Sequence, residues 1–136
     1  MKPFQVSVVS QDRLLYEGDV LQVSATAEAG ELGVLAGHTP LMANLKAGQV
    51  RLQLEGNKEE VLYISGGFLE VQPHKTIILA DEALHAADLD EEAVKKAKER
   101  AEERMKGVES SDEHAMAQLE LAQIAAQLSA IRRAKR

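Results

Sequence analysis

Apolar and polar residues alternate along the first part of the chain and recur every three or four residues along the last part. Period-two alternation runs through Phe4-Val6-Val8, Leu21-Val23-Ala25 and, most cleanly, Val50-Leu52-Leu54. That is the signature of strands with one buried face. Gly56-Asn57 predicts a hairpin turn between strands at residues 50–55 and 61–65, because both residue types tolerate positive φ. Pro73-His74 predicts another turn, between residues 67–71 and 76–80. Turn signals every eight to twelve residues with no helical period between them predict an antiparallel β-sandwich or barrel.

The grammar then changes. Eight of the nine glycines, all three prolines and all four aromatic residues lie at or before Pro73, whereas Ala86 onward holds twelve alanines, no proline and one glycine. The shift places a boundary near residues 81–88 and predicts a β-sandwich over residues 1–86 and a helical hairpin over 87–136, an α+β chain with its strands before its helices. Asp88, Asp90 and Glu91 offer a cap and an acidic first turn for one helix. Glu91–Lys95, Glu92–Lys96 and Glu102–Lys106 stand at i,i+4 with acid before base, and Gly107 is a stop signal. Ser110-Ser111-Asp112-Glu113 predicts a capping box for a second helix that runs to about Arg133. The short connection, about six residues, makes the pair antiparallel.

The second helix carries a seam of Ala117, Leu121, Ile124, Leu128 and Ile131, which packs in the simplest arrangement on the first helix. The first helix answers with Val94, Ala97, Ala101 and Met105, mostly methyl-sized. At roughly 0.8 kcal/mol per buried methylene such a partner contributes little. The closed hairpin is therefore expected to be marginal, and a Leu/Ile seam with a weak partner is free to change partners.

Composition removes several classes of function. The absence of cysteine excludes disulfide and thiolate chemistry. Apolar runs stop at four residues, at 61–64 and 77–80, so no helix is expected to span a bilayer and a soluble cytoplasmic protein is the default expectation. A net charge of −6 argues against nucleic acid as the main partner. The charge is uneven: residues 1–86 hold six basic against eleven acidic side chains (−5), and residues 87–136 hold ten against eleven (−1). Four of those ten are Arg132, Arg133, Lys135 and Arg136. A helix C-terminus explains one or two of them, and the surplus fits an acidic protein surface.

Residues 30–41, GELGVLAGHTPL, concentrate three glycines, a proline and a histidine. No Gly-Lys-Ser/Thr follows, so this is not a phosphate loop. Glu31 and His38 are conceivable as a base and its orienter, but no activated nucleophile accompanies them. The glycines are expected to let the backbone turn and approach a neighbour closely. Ser65-Gly66-Gly67 lacks the context of a nucleophile elbow and reads better as a bulge or close approach of two backbones. The four histidines, His38, His74, His85 and His114, have no ligand spacing, so neither a metal nor a catalytic residue is expected.

The GELGVLAGHTPL loop, YISGGFLEVQP at residues 63–73 and LADEA at 79–83, with an Ala-rich hairpin behind them, closely resemble the epsilon subunits of bacterial F-type ATP synthases over essentially the whole chain. The resemblance implies a noncatalytic, peripheral rotor subunit of the central stalk, on the cytoplasmic face of the bacterial inner membrane. In that family the sandwich binds the gamma subunit and the ring of membrane c subunits, which would put Glu31 and His38 near the c-ring. The hairpin either folds down on the sandwich or extends toward the alpha/beta catalytic head. When extended it inhibits ATP hydrolysis, with Arg132 and Arg133 as the equivalents of its basic contacts to acidic segments of the head.

Members that bind ATP in the hairpin carry Ile/Leu-Asp-x-x-Arg-Ala. Here Leu89 and Asp90 match, but Ala93 stands at the arginine position. Loss of that cation predicts weak or absent ATP binding and no cofactor. The residues alone leave two other readings open: a stand-alone adaptor that offers a hairpin to an acidic partner, and a small hydrolase built on Glu31 and His38.

Overall fold

The computed structural model describes residues 1–108 and 110–135. Nine strands come first: β1 (Phe4–Val9), β2 (Leu14–Val20), β3 (Gln22–Ala27), β4 (Gly30–Val34), β5 (Leu41–Leu54), β6 (Lys58–Ile64), β7 (Gly67–Val71), β8 (Lys75–Ala80) and β9 (Ala83–His85). A single 3-10 turn, Ala86–Asp88, leads to helices α1 (Glu91–Lys106) and α2 (Ser111–Ala134). The expected α+β arrangement, a β-sandwich followed by a helical pair, is the arrangement found.

The strands hydrogen-bond in the order β2-β1-β8-β7-β5-β3-β4, with β6 joined to β5 and β9 to β6. Strand β5 makes the two layers. Its first residues, Leu41 to Leu45, pair with β7, and Gly48 to Leu54 pair with β6, so one strand passes from one layer into the other. The sequence predicts a strand only over 50–55, because Lys46-Ala47-Gly48 interrupts the alternation at the crossing. One pairing departs from the antiparallel expectation: β1 lies parallel to β8, with Gln5 opposite Lys75 and Val9 opposite Leu79.

Alternation places Val6, Val8, Val20, Val23, Val50, Leu52, Leu62, Ile64, Leu69 and Ile78 in one aliphatic core, each at most 1% exposed. Each such side chain contributes roughly 1.5–3 kcal/mol by burial, and close packing of branched residues compensates for the scarcity of aromatics. The Gly66-Gly67 pair is the close approach that the sequence predicts. Gly67 adopts φ +143°, and a Cβ there would stand 2.1 Å from the Leu79 carbonyl oxygen.

Candidate functional site

The site is the contact between the helical hairpin and the outer face of β5 and β6. Asp90 caps α1, its carboxylate accepting from the Glu92 and Ala93 amides at 3.1 and 3.3 Å. Ser110 caps α2, accepting from the Glu113 amide at 3.1 Å. Gly107 closes α1 at φ −100°, outside the left-handed region, so the stop does not depend on glycine there. The helices are antiparallel: Arg104 pairs with Glu120 at 2.6 Å near the turn, and Lys135 with Glu91 at the open end.

The structure places Val94, Ala97 and Ala101 of α1 against Leu121, Ile124, Leu128 and Ile131 of α2, with Leu89 in the same cluster. Ala117 and Met105 lie half-buried toward the turn. The Leu/Ile seam therefore lies between the two helices, while Met116 and Leu119 of α2 stand exposed near the turn. Toward the sandwich α2 shows a different stripe. Ala126 and Ala130 pack on Val61, Tyr63 and Ala86, with Ala47, Leu84 and Leu89 at the margin. Alanine offers one methyl per contact, so this apolar attachment is thin.

Polar links complete it. Gln49 Nε2 donates to Ser129 Oγ at 2.9 Å. The Arg133 guanidinium donates from Nε and Nη2 to both oxygens of Glu59, at 2.8 and 3.0 Å. A half-exposed pair of this kind contributes about 1 kcal/mol or less. The hairpin is docked by small apolar contacts and a few polar links.

Tyr63, 1% exposed, lies under the alanine stripe. Burial raises its pKa above the ordinary 10.0, a side-chain hydrogen bond with Gln127 partly offsets this, and the Glu82 carboxylate adds to it. The neutral phenol is thus the form the docked state favours. Its contribution is complete below pH 10 and fades as pH rises through the higher folded-state pKa.

The structure separates Glu31 from His38. Glu31 projects outward from β4 and pairs with Arg51 at 2.7 Å, in a cleft shared with Gln49, Ser129, Arg132 and Arg133. His38 follows the end of β4, where its Nδ1–H donates to the Thr39 carbonyl at 2.7 Å. The loop is half strand: GELGV is β4, antiparallel to β3. Gly30 and Gly37 have positive φ, yet a Cβ at either would meet nothing within 4 Å. They turn the chain; the expected close approach does not occur in this loop.

Leu89 packs into both helical clusters and Asp90 is spent on the cap, so each has a structural task; Ala93 is exposed. Arg132 is exposed at the rim of the cleft, and Arg136 lies outside the described residues. Two features had no signal in the sequence. The alanines at 126 and 130 were indistinguishable from helix formers. On the outer face of the other layer, Met42, Phe68 and Leu79 stand 66%, 50% and 52% exposed. Strand pairing sets Phe68 beside Leu79 and Met42 beside Glu70, making one apolar patch away from the hairpin.

Comparison with known proteins gives one answer. The family description "ATP synthase, Delta/Epsilon chain, beta-sandwich domain" matches residues 3–86, and "ATP synthase, Delta/Epsilon chain, long alpha-helix domain" matches 87–132. The ATP synthase epsilon chain of Dichelobacter nodosus is 56% identical over 137 residues, covering 96% of each chain. That of Nitrosococcus oceani is 48% identical over 131 residues, covering 96% of this chain and 94% of its own. A chain in the Euglena gracilis mitochondrial ATP synthase (OSCP/F1/c-ring) superposes with a TM-score of 0.86 at 25% identity, over 95% of this chain and 81% of that one. A chain of the Tetrahymena thermophila central stalk and c-ring shares the fold, with a TM-score of 0.66 at 13% identity over 96% and 97%. A sandwich with a docked two-helix hairpin, matched along both parts, makes this chain a member of the ATP synthase epsilon chain family.

Proposed function

We propose that the chain is a noncatalytic rotor subunit of the ATP synthase central stalk that couples proton flow to ATP synthesis and restrains ATP hydrolysis through its hairpin. The observation that carries this reading is the division of the hairpin's contacts. Its Leu/Ile seam is internal, while its hold on the sandwich rests on alanines, one part-buried hydrogen bond and one exposed ion pair. Such a hairpin leaves the sandwich as a unit, and the departing face carries Arg132 and Arg133 toward an acidic surface on the alpha/beta head. The Met42–Phe68–Leu79 patch suits an apolar face of the gamma subunit. The β4 edge, with His38 beside exposed Leu35 and with Glu31 on its outer face, suits the polar loops of the c-ring. In this reading the sandwich spans residues 1–86 and the regulatory hairpin 87–136, and the subunit is peripheral on the cytoplasmic face. Among the described residues no helix is long and apolar enough to cross a membrane.

Truncation after Val108 in the assembled complex tests the restraint. Removal of α2 is expected to raise ATP hydrolysis roughly fivefold or more, a coupling of about 1 kcal/mol or above. Unchanged hydrolysis would overturn the inhibitory reading. The isolated chain is expected to bind ATP weakly or not at all, since Ala93 supplies no cation and Asp90 already serves as a cap. Calorimetric titration checks this, and a micromolar dissociation constant would contradict it.

A further inference from the structure

Two stripes meet where α2 lies on β6. Glu59, Val61 and Tyr63 alternate onto one face of the strand, and Arg133, Ala130 and Ala126 stand at helical spacing on one side of α2. The apolar members pair in the middle of the contact, and the two charged members close its end. The Glu59–Arg133 contact is a two-pronged fork, 2.8 and 3.0 Å, between groups 74 residues apart. Methyl groups tolerate sliding, whereas a planar guanidinium on a carboxylate fixes distance and orientation together. A displacement of α2 by one helical turn, about 5.4 Å, would retain alanine-on-sheet packing and lose the fork.

A guanidinium edge serves one carboxylate at a time. While Glu59 holds the Nε/Nη2 edge of Arg133, that edge is withheld from any other acidic group. We propose that Glu59 is the latch of the docked hairpin and competes with the partner's acidic surface for Arg133. The competing half of this inference rests on the inhibitory reading given above; the latch itself does not.

The chain has no cysteine, so spin labels on cysteines introduced at the exposed positions Lys58 and Gln118 report the hairpin-to-sandwich distance in the full-length isolated subunit. Glu59→Gln preserves shape and removes the charge. It is expected to raise the ratio of undocked to docked hairpin roughly threefold to fivefold, as befits a partly exposed pair, and Arg133→Gln is expected to do the same. A distance distribution unchanged in both variants would overturn the latch. In the assembled enzyme the two variants diverge. Glu59→Gln releases Arg133 and is expected to lower ATP hydrolysis about threefold, whereas Arg133→Gln releases the hairpin without its cation and is expected not to lower it. Undocking of both variants with equal hydrolysis would keep the latch and overturn the competition, and with it the role of Arg133 at the head.

Discussion

Gly67→Ala is expected to destabilise the sandwich by about 3–5 kcal/mol, the combined scale of positive-φ strain and overpacking. The added methyl would stand 2.1 Å from the Leu79 carbonyl oxygen and 2.9 Å from the Ala80 Cα, and neither backbone atom belongs to a flexible side-chain end. The strand cannot retreat either, because Gly67 is paired with Ala80 on one side and Leu45 on the other. The φ of +143° adds strain that any side chain feels. For a domain of this size the loss corresponds to a fall in Tm of roughly 15 °C or more. Gly33→Ala in β4 is the matched control: its nearest neighbour would be Gln22 Nε2 at 3.7 Å, an ordinary contact. Thermal unfolding followed by circular dichroism decides the matter, and equal Tm values for the two variants would refute the argument.

Both glycines come from runs that look alike in the sequence, and the contrast shows what a linear pattern conveys. Alternation in Val50-Leu52-Leu54 and the caps at Asp90 and Ser110 are local, and they were legible: α1 begins at Glu91 and α2 at Ser111. Strand β4 was not visible as a strand, because two glycines in five residues imitate a loop, and its pairing with β3 supplies the order that propensity lacks. The parallel pairing of β1 with β8 joins the chain's start to residues near position 80, which no short-range signal specifies. The same division runs through the candidate site. The seam of Leu121, Ile124, Leu128 and Ile131 announces itself by period and size. The docking stripe does not, because Ala126 and Ala130 are the residues a helix uses anyway. Glu59 and Arg133 are ordinary surface charges until the fold sets them 2.8 Å apart.

That hidden stripe supports the second large effect. Ala130 is fully buried where α2 rests on β6. Leucine there has no cavity to enter, and overpacking at such a site costs about 1–3 kcal/mol. In a sandwich core the strain would spread through the domain. Here one side of the contact is a hairpin held by methyl groups and a few polar links, so separation is the cheaper response. Ala130→Leu is therefore expected to undock the hairpin, moving the docking equilibrium roughly tenfold or more toward release, while the sandwich keeps its Tm. The readout is Tyr63. The chain has no tryptophan and two tyrosines, and because the Tyr16 pKa is also raised by burial, the titration is read in a Tyr16→Phe background where Tyr63 is the one phenol left. Undocking removes the burial that is the main cause of the raised Tyr63 pKa, and the titration should move down toward the ordinary value near 10. A sandwich that melts earlier with an unmoved Tyr63 titration would show that the helix is fused to the core, and the hairpin would then be too firmly held to act as a movable part.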